Sequence, residues 1–132
     1  MAMDAQQALA DLTEISSQIE AAVLFDEQGG VVGSTLASEE AAQELAAAAG
    51  RLLEDAGAFR PAGGEVAQLE ASTQEGSVFV VRDGARRIAA TTGPAPTVGL
   101  VFYDLKSCLR GTEEQATPKR RPRKKEPADG EA

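Results

Sequence analysis

The feature that most constrains this chain is a helix-forming segment with two apolar faces. Ser38 followed by Glu39 and Glu40 is typical of a helix N-cap with acids at the positive end of the helix dipole. The pattern predicts a helix from Glu39 to Ala56, which Gly57 would end. One apolar face consists of Leu45, Ala48, Leu52 and Ala56, and the other consists of Ala42, Ala46, Ala49 and Leu53. Such a helix needs two surfaces to pack against: its own sheet, and a second surface that another protein chain could supply.

Five short segments have the composition of β-strands. Before the Ala-rich helix, Ala21–Asp26 and Val31–Leu36 flank a Gly-containing turn and predict a β-hairpin. After the helix, Gly-containing turns separate three more candidate strands, which are Glu65–Thr73, Ser77–Arg82 and Arg86–Thr92. The first of these is polar, as an edge strand would be, whereas the second has a continuous apolar run at Val78–Val81 and is predicted to lie inside the sheet.

A helix is predicted at each end of the domain. Leu9, Leu12, Ile15 and Ile19 recur at helical spacing and predict a first helix from about Asp4 to Glu20. Val98–Tyr103 favours a strand by propensity, but the apolar side chains of residues 98–109 recur every three or four residues and predict a helix that ends before Gly111. The predicted fold is therefore α/β, with the order α-β-β-α-β-β-β-α.

The residue types present argue against catalysis. The sequence contains no His, which is the commonest general base and metal ligand, and a single Cys, Cys108, for which a buried core position is expected. It also lacks a P-loop motif. The adjacent acids Asp26–Glu27 and Glu39–Glu40 could bind Mg²⁺, but turn and cap chemistry explains them more simply. We therefore expect a protein-binding domain that is not an enzyme and has no catalytic, cofactor or metal site.

The composition changes after Gly111. Residues 112–132 have no large apolar side chain and are predicted to be a disordered tail, which leaves residues 1–111 as the domain. The domain has 16 acidic and 7 basic residues, whereas the tail has a basic cluster made of Lys119, Arg120, Arg121, Arg123, Lys124 and Lys125. This cluster could bind nucleic acid, an anionic membrane or an acidic partner, or it could only keep the chain soluble. No apolar run is long enough to span a bilayer, and the N-terminus lacks the features of a signal peptide, so a cytoplasmic location is expected.

Two segments resemble a known family. They are Ala21–Ser34 in the first hairpin and Thr97–Arg110 near the end, the latter with a Gly-Leu-Val sequence at residues 99–101. Together with the predicted order of helices and strands, these two segments resemble the roadblock/dynein light-chain family in its bacterial, MglB-like form. The resemblance covers residues 8–111. The chain departs from the usual pattern in the basic segment around Arg86 and Arg87 and in its basic tail.

This resemblance implies a five-stranded antiparallel sheet with helices on both faces, an α+β sandwich. It also implies a homodimer in which the edge strand after the second helix pairs with its copy and the second helices pack together. The corresponding residues here are Ala42, Ala46, Ala49, Leu53, Val66, Gln68 and Glu70. Family members regulate or scaffold Ras-like small GTPases, which makes such a GTPase the expected partner. Two alternatives are an adaptor that tethers an assembly to membrane or nucleic acid through the basic tail, and a small-molecule sensor, for which the sequence shows no convergent polar pocket.

Overall fold

Three helices and five strands form the domain. The computed structural model describes residues 4–59 and 66–116. The helices are α1 (Ala5–Ile15), α2 (Glu39–Gly57) and α3 (Val98–Ala116). The strands are β1 (Ile19–Asp26), β2 (Val31–Ser34), β3 (Gln68–Ser72), β4 (Ser77–Asp83) and β5 (Arg86–Thr92). This order confirms the predicted one, including the helix at residues 98–110.

The five strands form one antiparallel sheet in the order β2-β1-β5-β4-β3. β4 has a neighbour on each side, as its apolar sequence predicted, and β3 lies at the edge. The turn between β4 and β5 has only two residues, and Gly84 adopts a φ of 63°, a value that favours glycine. The hairpin therefore places Arg82 directly opposite Arg87.

A separate apolar core fills each face of the sheet. On one face, α1 and α3 pack over buried residues that include Leu9, Leu24 and Leu105, and the ring of Phe79 meets that of Phe102 edge-on at 5.0 Å between centroids. On the other face, α2 packs over Val23, Phe25, Val80 and Ala89. Helices therefore cover both faces, and the α+β sandwich expected from the resemblance is confirmed.

The first helix is shorter than its apolar pattern predicted. It ends at Ile15, whose side chain is 74% exposed, and Ser16 leaves the helical conformation while its N–H still donates to the carbonyl of Leu12. Ile19 is buried as the first residue of β1 and does not belong to the helix. The prediction that the first helix extends to Glu20 was wrong. Ile19 matches the helical spacing by chance, and it belongs to the β-prone run that forms β1.

The last helix is longer than predicted. It continues through Gly111 to Ala116, because Thr112 is only 2% exposed and its hydroxyl donates to the carbonyl of Leu109 at 2.9 Å. Glycine lowers helix propensity by about 1 kcal/mol, and packing of the next turn outweighs that amount here. The first five residues assigned to the tail are thus helical, while the division into a domain at 1–111 and a tail at 112–132 otherwise stays a prediction.

Candidate protein-interaction surface

The inner face of α2 packs against the chain's own sheet. Ala42, Ala46 and Ala49 are buried, and Leu53 is 3% exposed, all within the core that contains Phe25. These four side chains were assigned to a dimer contact, and the structure corrects that assignment. The small alanines let the helix approach the sheet closely, so they serve the domain's own core.

The outer face of α2 is the one that a second chain can reach. Leu45, Ala48, Leu52 and Ala56 are half-buried in the single chain. α2 lies mainly over β1, β2 and β5 and also covers Val80 of β4, so Leu69 of β3 packs at the margin of its core. On the same face of the sheet, Leu69, Ala71 and Val78 are also half-buried. The outer side of α2 and the neighbouring strands therefore form an apolar surface, which we call the α2–β3 surface.

The two edges of the sheet differ in how they are protected. β2 is four residues long, its register with β1 shifts near Phe25, and the N–H of Ser34 donates to the side-chain oxygen of Gln6 from α1 at 2.8 Å. β3 pairs regularly with β4 along its whole length. Short, irregular or covered edges resist pairing with another chain, whereas regular ones favour it. Of the two, β3 is the edge suited to strand addition.

Hydrogen bonds at both ends of β3 show which backbone groups face outward. The carbonyl of Ala67 accepts from the N–H of Arg82, and the N–H of Thr73 donates to the carbonyl of Gly76. Because bonded and non-bonded positions alternate along an antiparallel pair, the backbone groups of Gln68 and Glu70 point away from β4. Two residues predicted at the dimer contact therefore expose the N–H and carbonyl groups with which a second strand would pair.

The side chains of the predicted β3 residues lie on different faces. Gln68 and Glu70 are exposed and lie opposite residues of the α1–α3 core, and Glu70 accepts a hydrogen bond from the hydroxyl of Ser77 at 3.2 Å. Val66 precedes the strand and packs against the α2 core. Val66 is thus separated from Gln68 and Glu70, because strand alternation does not extend to a residue outside the strand.

The remaining chemical groups have structural roles. The carboxylate of Asp26 accepts from the backbone N–H groups of Gln28 at 3.0 Å and Gly30 at 2.8 Å, which fixes the β1–β2 turn. The hydroxyl of Ser38 accepts from the N–H of Ala41 at 3.0 Å and caps α2 as predicted. In the described part of the chain, no group of three or more acids or cysteines could hold a metal ion.

Cys108 is buried between α1 and α3, as its position in the apolar stripe predicted. Burial raises the pKa of its thiol to about 11, and the negative charge of Asp11 acts in the same direction. The thiol is therefore protonated and poorly nucleophilic at neutral pH.

Two further findings concern membranes and the tail. None of the helices in the described ranges has the length and apolar content needed to cross a bilayer. The basic cluster at Lys119–Lys125 lies outside the described residues.

Comparison with solved structures identifies the fold. A roadblock/LC7 domain from Streptomyces avermitilis is 19% identical, with a TM-score of 0.75 over 88% of this chain and 98% of that one. MglB from Myxococcus xanthus is 13% identical, with a TM-score of 0.66 over 90% of each chain. An MglB with a tetrameric arrangement is 14% identical, with a TM-score of 0.65 over 80% of this chain and 85% of that one. No protein-family model and no curated protein matches the sequence. The likeness shows a roadblock-like, MglB-type fold.

Proposed function

We propose that the protein is a non-enzymatic, cytoplasmic homodimer that regulates or scaffolds a Ras-like small GTPase. The observation that carries the proposal is the α2–β3 surface, where a regular edge strand lies beside a half-buried apolar helix face. Apolar groups and unpaired backbone groups next to each other are what an isologous strand-to-strand contact requires. The roadblock-like fold, which MglB shares, supports the choice of a GTPase as partner.

A regulator of this kind does not need catalytic groups of its own. A small GTPase changes the conformation of its switch segments with the bound nucleotide. A partner that binds one conformation more tightly shifts the equilibrium toward it by the difference in binding free energy. The protonated thiol of Cys108 and the structural roles of Asp26 and Ser38 fit a binding role.

The homodimer can be tested at Glu70. A proline there removes an N–H that points away from β4, so β4 keeps its hydrogen bonds while an incoming strand loses a donor. We expect Glu70→Pro to weaken self-association in sedimentation experiments, with little change in the circular dichroism spectrum. Glu70→Ala is the matched control, because it removes the same side chain and keeps the N–H. Equal self-association of both variants would argue against pairing through β3.

The GTPase partnership needs a separate test. The protein, immobilised through its N-terminus, is mixed with Ras-like GTPases from the same cell, loaded with GTP or GDP. We expect one nucleotide state to be retained preferentially, and the Glu70→Pro variant shows whether retention needs the dimer. Negligible retention of both states would contradict regulation of these GTPases and would leave the dimer unaffected.

The basic cluster supports a second candidate function. Six cations within seven residues would give an adaptor a means of binding an anionic membrane or nucleic acid. Because α3 extends to Ala116, removal of residues 117–132 leaves every described element intact. Loss of binding to anionic vesicles or to DNA in the shortened protein, together with an unchanged dimer, is the expected result for this function. Binding that the deletion leaves unchanged would argue against it.

A further inference from the structure

A cavity of about 440 Å³ lies between α2 and one end of the sheet, next to the turns that follow β1 and β4. This volume falls within the range of roughly 300–1,000 Å³ that is typical of small-molecule sites. Space exists because α2 presents Ala46 and Gly50 to the cavity, and a Cβ atom at Gly50 would contact nothing within 4 Å. None of the residues that define the α2–β3 surface lines this cavity.

Two arginines from adjacent strands line the cavity. Arg82 of β4 and Arg87 of β5 lie directly opposite each other, and Phe25 of β1 lies opposite Arg87. Strand alternation places these residues on the α2 side of the sheet, in register with the buried Val80 and Ala89. Like charges directly opposite each other on a sheet are unfavourable, so each arginine needs an interaction of its own.

The hydrogen bonds of the two guanidinium groups differ. Nη2 of Arg82 donates to the carbonyl of Val66 at 2.7 Å, which holds that side chain in place. Nε of Arg87 is buried and has no hydrogen-bond partner within residues 4–59 and 66–116. A buried charged donor without an acceptor is unfavourable, and an anion in the cavity would supply the acceptor. Arg51, on the exposed side of α2, adds a third positive charge at the cavity.

The acidic residues of the cavity favour a ligand that carries hydrogen-bond donors as well as a negative charge. The carboxylate of Asp26 is already held by two backbone N–H groups of its turn. Glu27 and Glu54 line the cavity and are exposed. They would repel a bare anion at the opening, but they can accept hydrogen bonds from hydroxyl or amine groups of an organic ligand.

We propose that this cavity binds a small organic phosphate monoester, with its phosphoryl group on Arg87. A guanidinium group donates two parallel hydrogen bonds to phosphate oxygens, and a dianion balances Arg87 and the exposed Arg51 better than a carboxylate does. Glu27 and Glu54 lie where the organic part would emerge. The proposal does not depend on a GTPase partner.

The test follows binding at the cavity by NMR, because the basic tail of the full chain also attracts anions. The probes are inorganic phosphate and glycerol 3-phosphate, and the reporters are the Nε–H signal of Arg87 and the amide signals of Gly29 and Gly50. We expect saturable shifts of these signals with both probes. Glycerol 3-phosphate should bind more tightly, since its hydroxyl groups can donate to the glutamates.

Two variants of matched charge give the control. Arg87→Gln should weaken binding roughly tenfold or more, because it removes a charge-assisted contact. Arg86→Gln changes the charge equally at the next residue, which points to the other face of the sheet and does not line the cavity, so binding should persist. Equal losses in both variants, or shifts confined to the tail, would overturn the proposal. If glycerol 3-phosphate bound no more tightly than inorganic phosphate, the proposal that the ligand has an organic part would be overturned.

A phosphate monoester can also be part of a lipid, and a vesicle experiment separates the two sources. The probes are phosphatidylcholine vesicles with and without phosphatidic acid, mixed with the protein and both variants. A lipid source would be identified if the native protein and Arg86→Gln sediment with vesicles that contain phosphatidic acid and Arg87→Gln does not. Sedimentation equal for both variants, together with cavity shifts by glycerol 3-phosphate, would identify a soluble one.

Discussion

Replacing Leu53 with alanine is expected to destabilise the single chain and to leave its self-association largely intact. Leu53 is 3% exposed and packs with Phe25 and Ala49 in the α2 core. Leucine-to-alanine changes at such sites lower the free energy of unfolding by about 3–5 kcal/mol, the sum of lost transfer free energy and the cavity left behind. Leu53 also lines the cavity beside Gly50, so its truncation enlarges an existing space.

The neighbouring Leu52 provides the comparison, because it lies on the outer face of the same helix. It is half-buried in the single chain, so alanine there should lower the free energy of unfolding by only about 1 kcal/mol in the monomer. In a dimer that uses the α2–β3 surface, Leu52→Ala should also weaken association. The two substitutions delete the same atoms one residue apart, which makes helix propensity effects equal.

Urea denaturation at several protein concentrations distinguishes the two effects. The unfolding midpoint of a dimer depends on protein concentration, and that of a monomer does not. We expect Leu53→Ala to lower the midpoint at every concentration and Leu52→Ala to reduce its concentration dependence. The assignment of the two faces would be refuted if Leu53→Ala removed the concentration dependence while the stability of the monomer stayed unchanged.

Three further predictions concern single contacts. Gly76→Ala should destabilise the domain by more than 1 kcal/mol in thermal unfolding, because the new methyl group would overlap the backbone carbonyl of Thr92; an unchanged melting temperature would contradict this contact. Ser38→Ala should lower the free energy of unfolding by about 1 kcal/mol through loss of the α2 N-cap, and Ser38→Asp should restore it. For Cys108 the folded pKa of about 11 exceeds the ordinary value of 9.0, so its contribution to stability is complete below pH 9 and is lost as the pH rises toward 11. Iodoacetamide should therefore modify the native thiol more slowly than the urea-unfolded thiol at pH 9, and Cys108→Ala should lose less stability than the native chain between pH 9 and 11.

Local patterns were sufficient to predict the order of elements. The Ser38 cap, the Gly-containing turns and the helical spacing before Cys108 each depend on residues close in sequence, and each is present in the structure. The ends of α1 and α3 were predicted less well. Burial of Ile19 in a strand and of Thr112 in the last turns of α3 depends on contacts between distant segments, which periodicity does not report.

The candidate surface was predicted in part. The edge position of β3 followed from its polar sequence, but the choice between two apolar faces of α2 did not, because both have a similar composition. The structure selects the face with three alanines for the sheet, where small side chains allow close approach. The arginine pair was missed, although the two-residue turn at Gly84 places residues 82 and 87 in register once β4 and β5 are assumed to form a hairpin.

Replacing Arg87 with methionine tests whether this arginine contributes to folding or to ligand binding. Because like charges opposite each other destabilise a sheet, Arg87→Met should leave the free energy of unfolding unchanged or raise it by up to about 1 kcal/mol in a buffer without phosphate. With glycerol 3-phosphate present, the native chain should gain stability by mass action and the variant should not. The order of stability would then reverse between the two buffers. A variant that is less stable in both would mean that Arg87 serves the fold, and the cavity would lose its main argument as a ligand site.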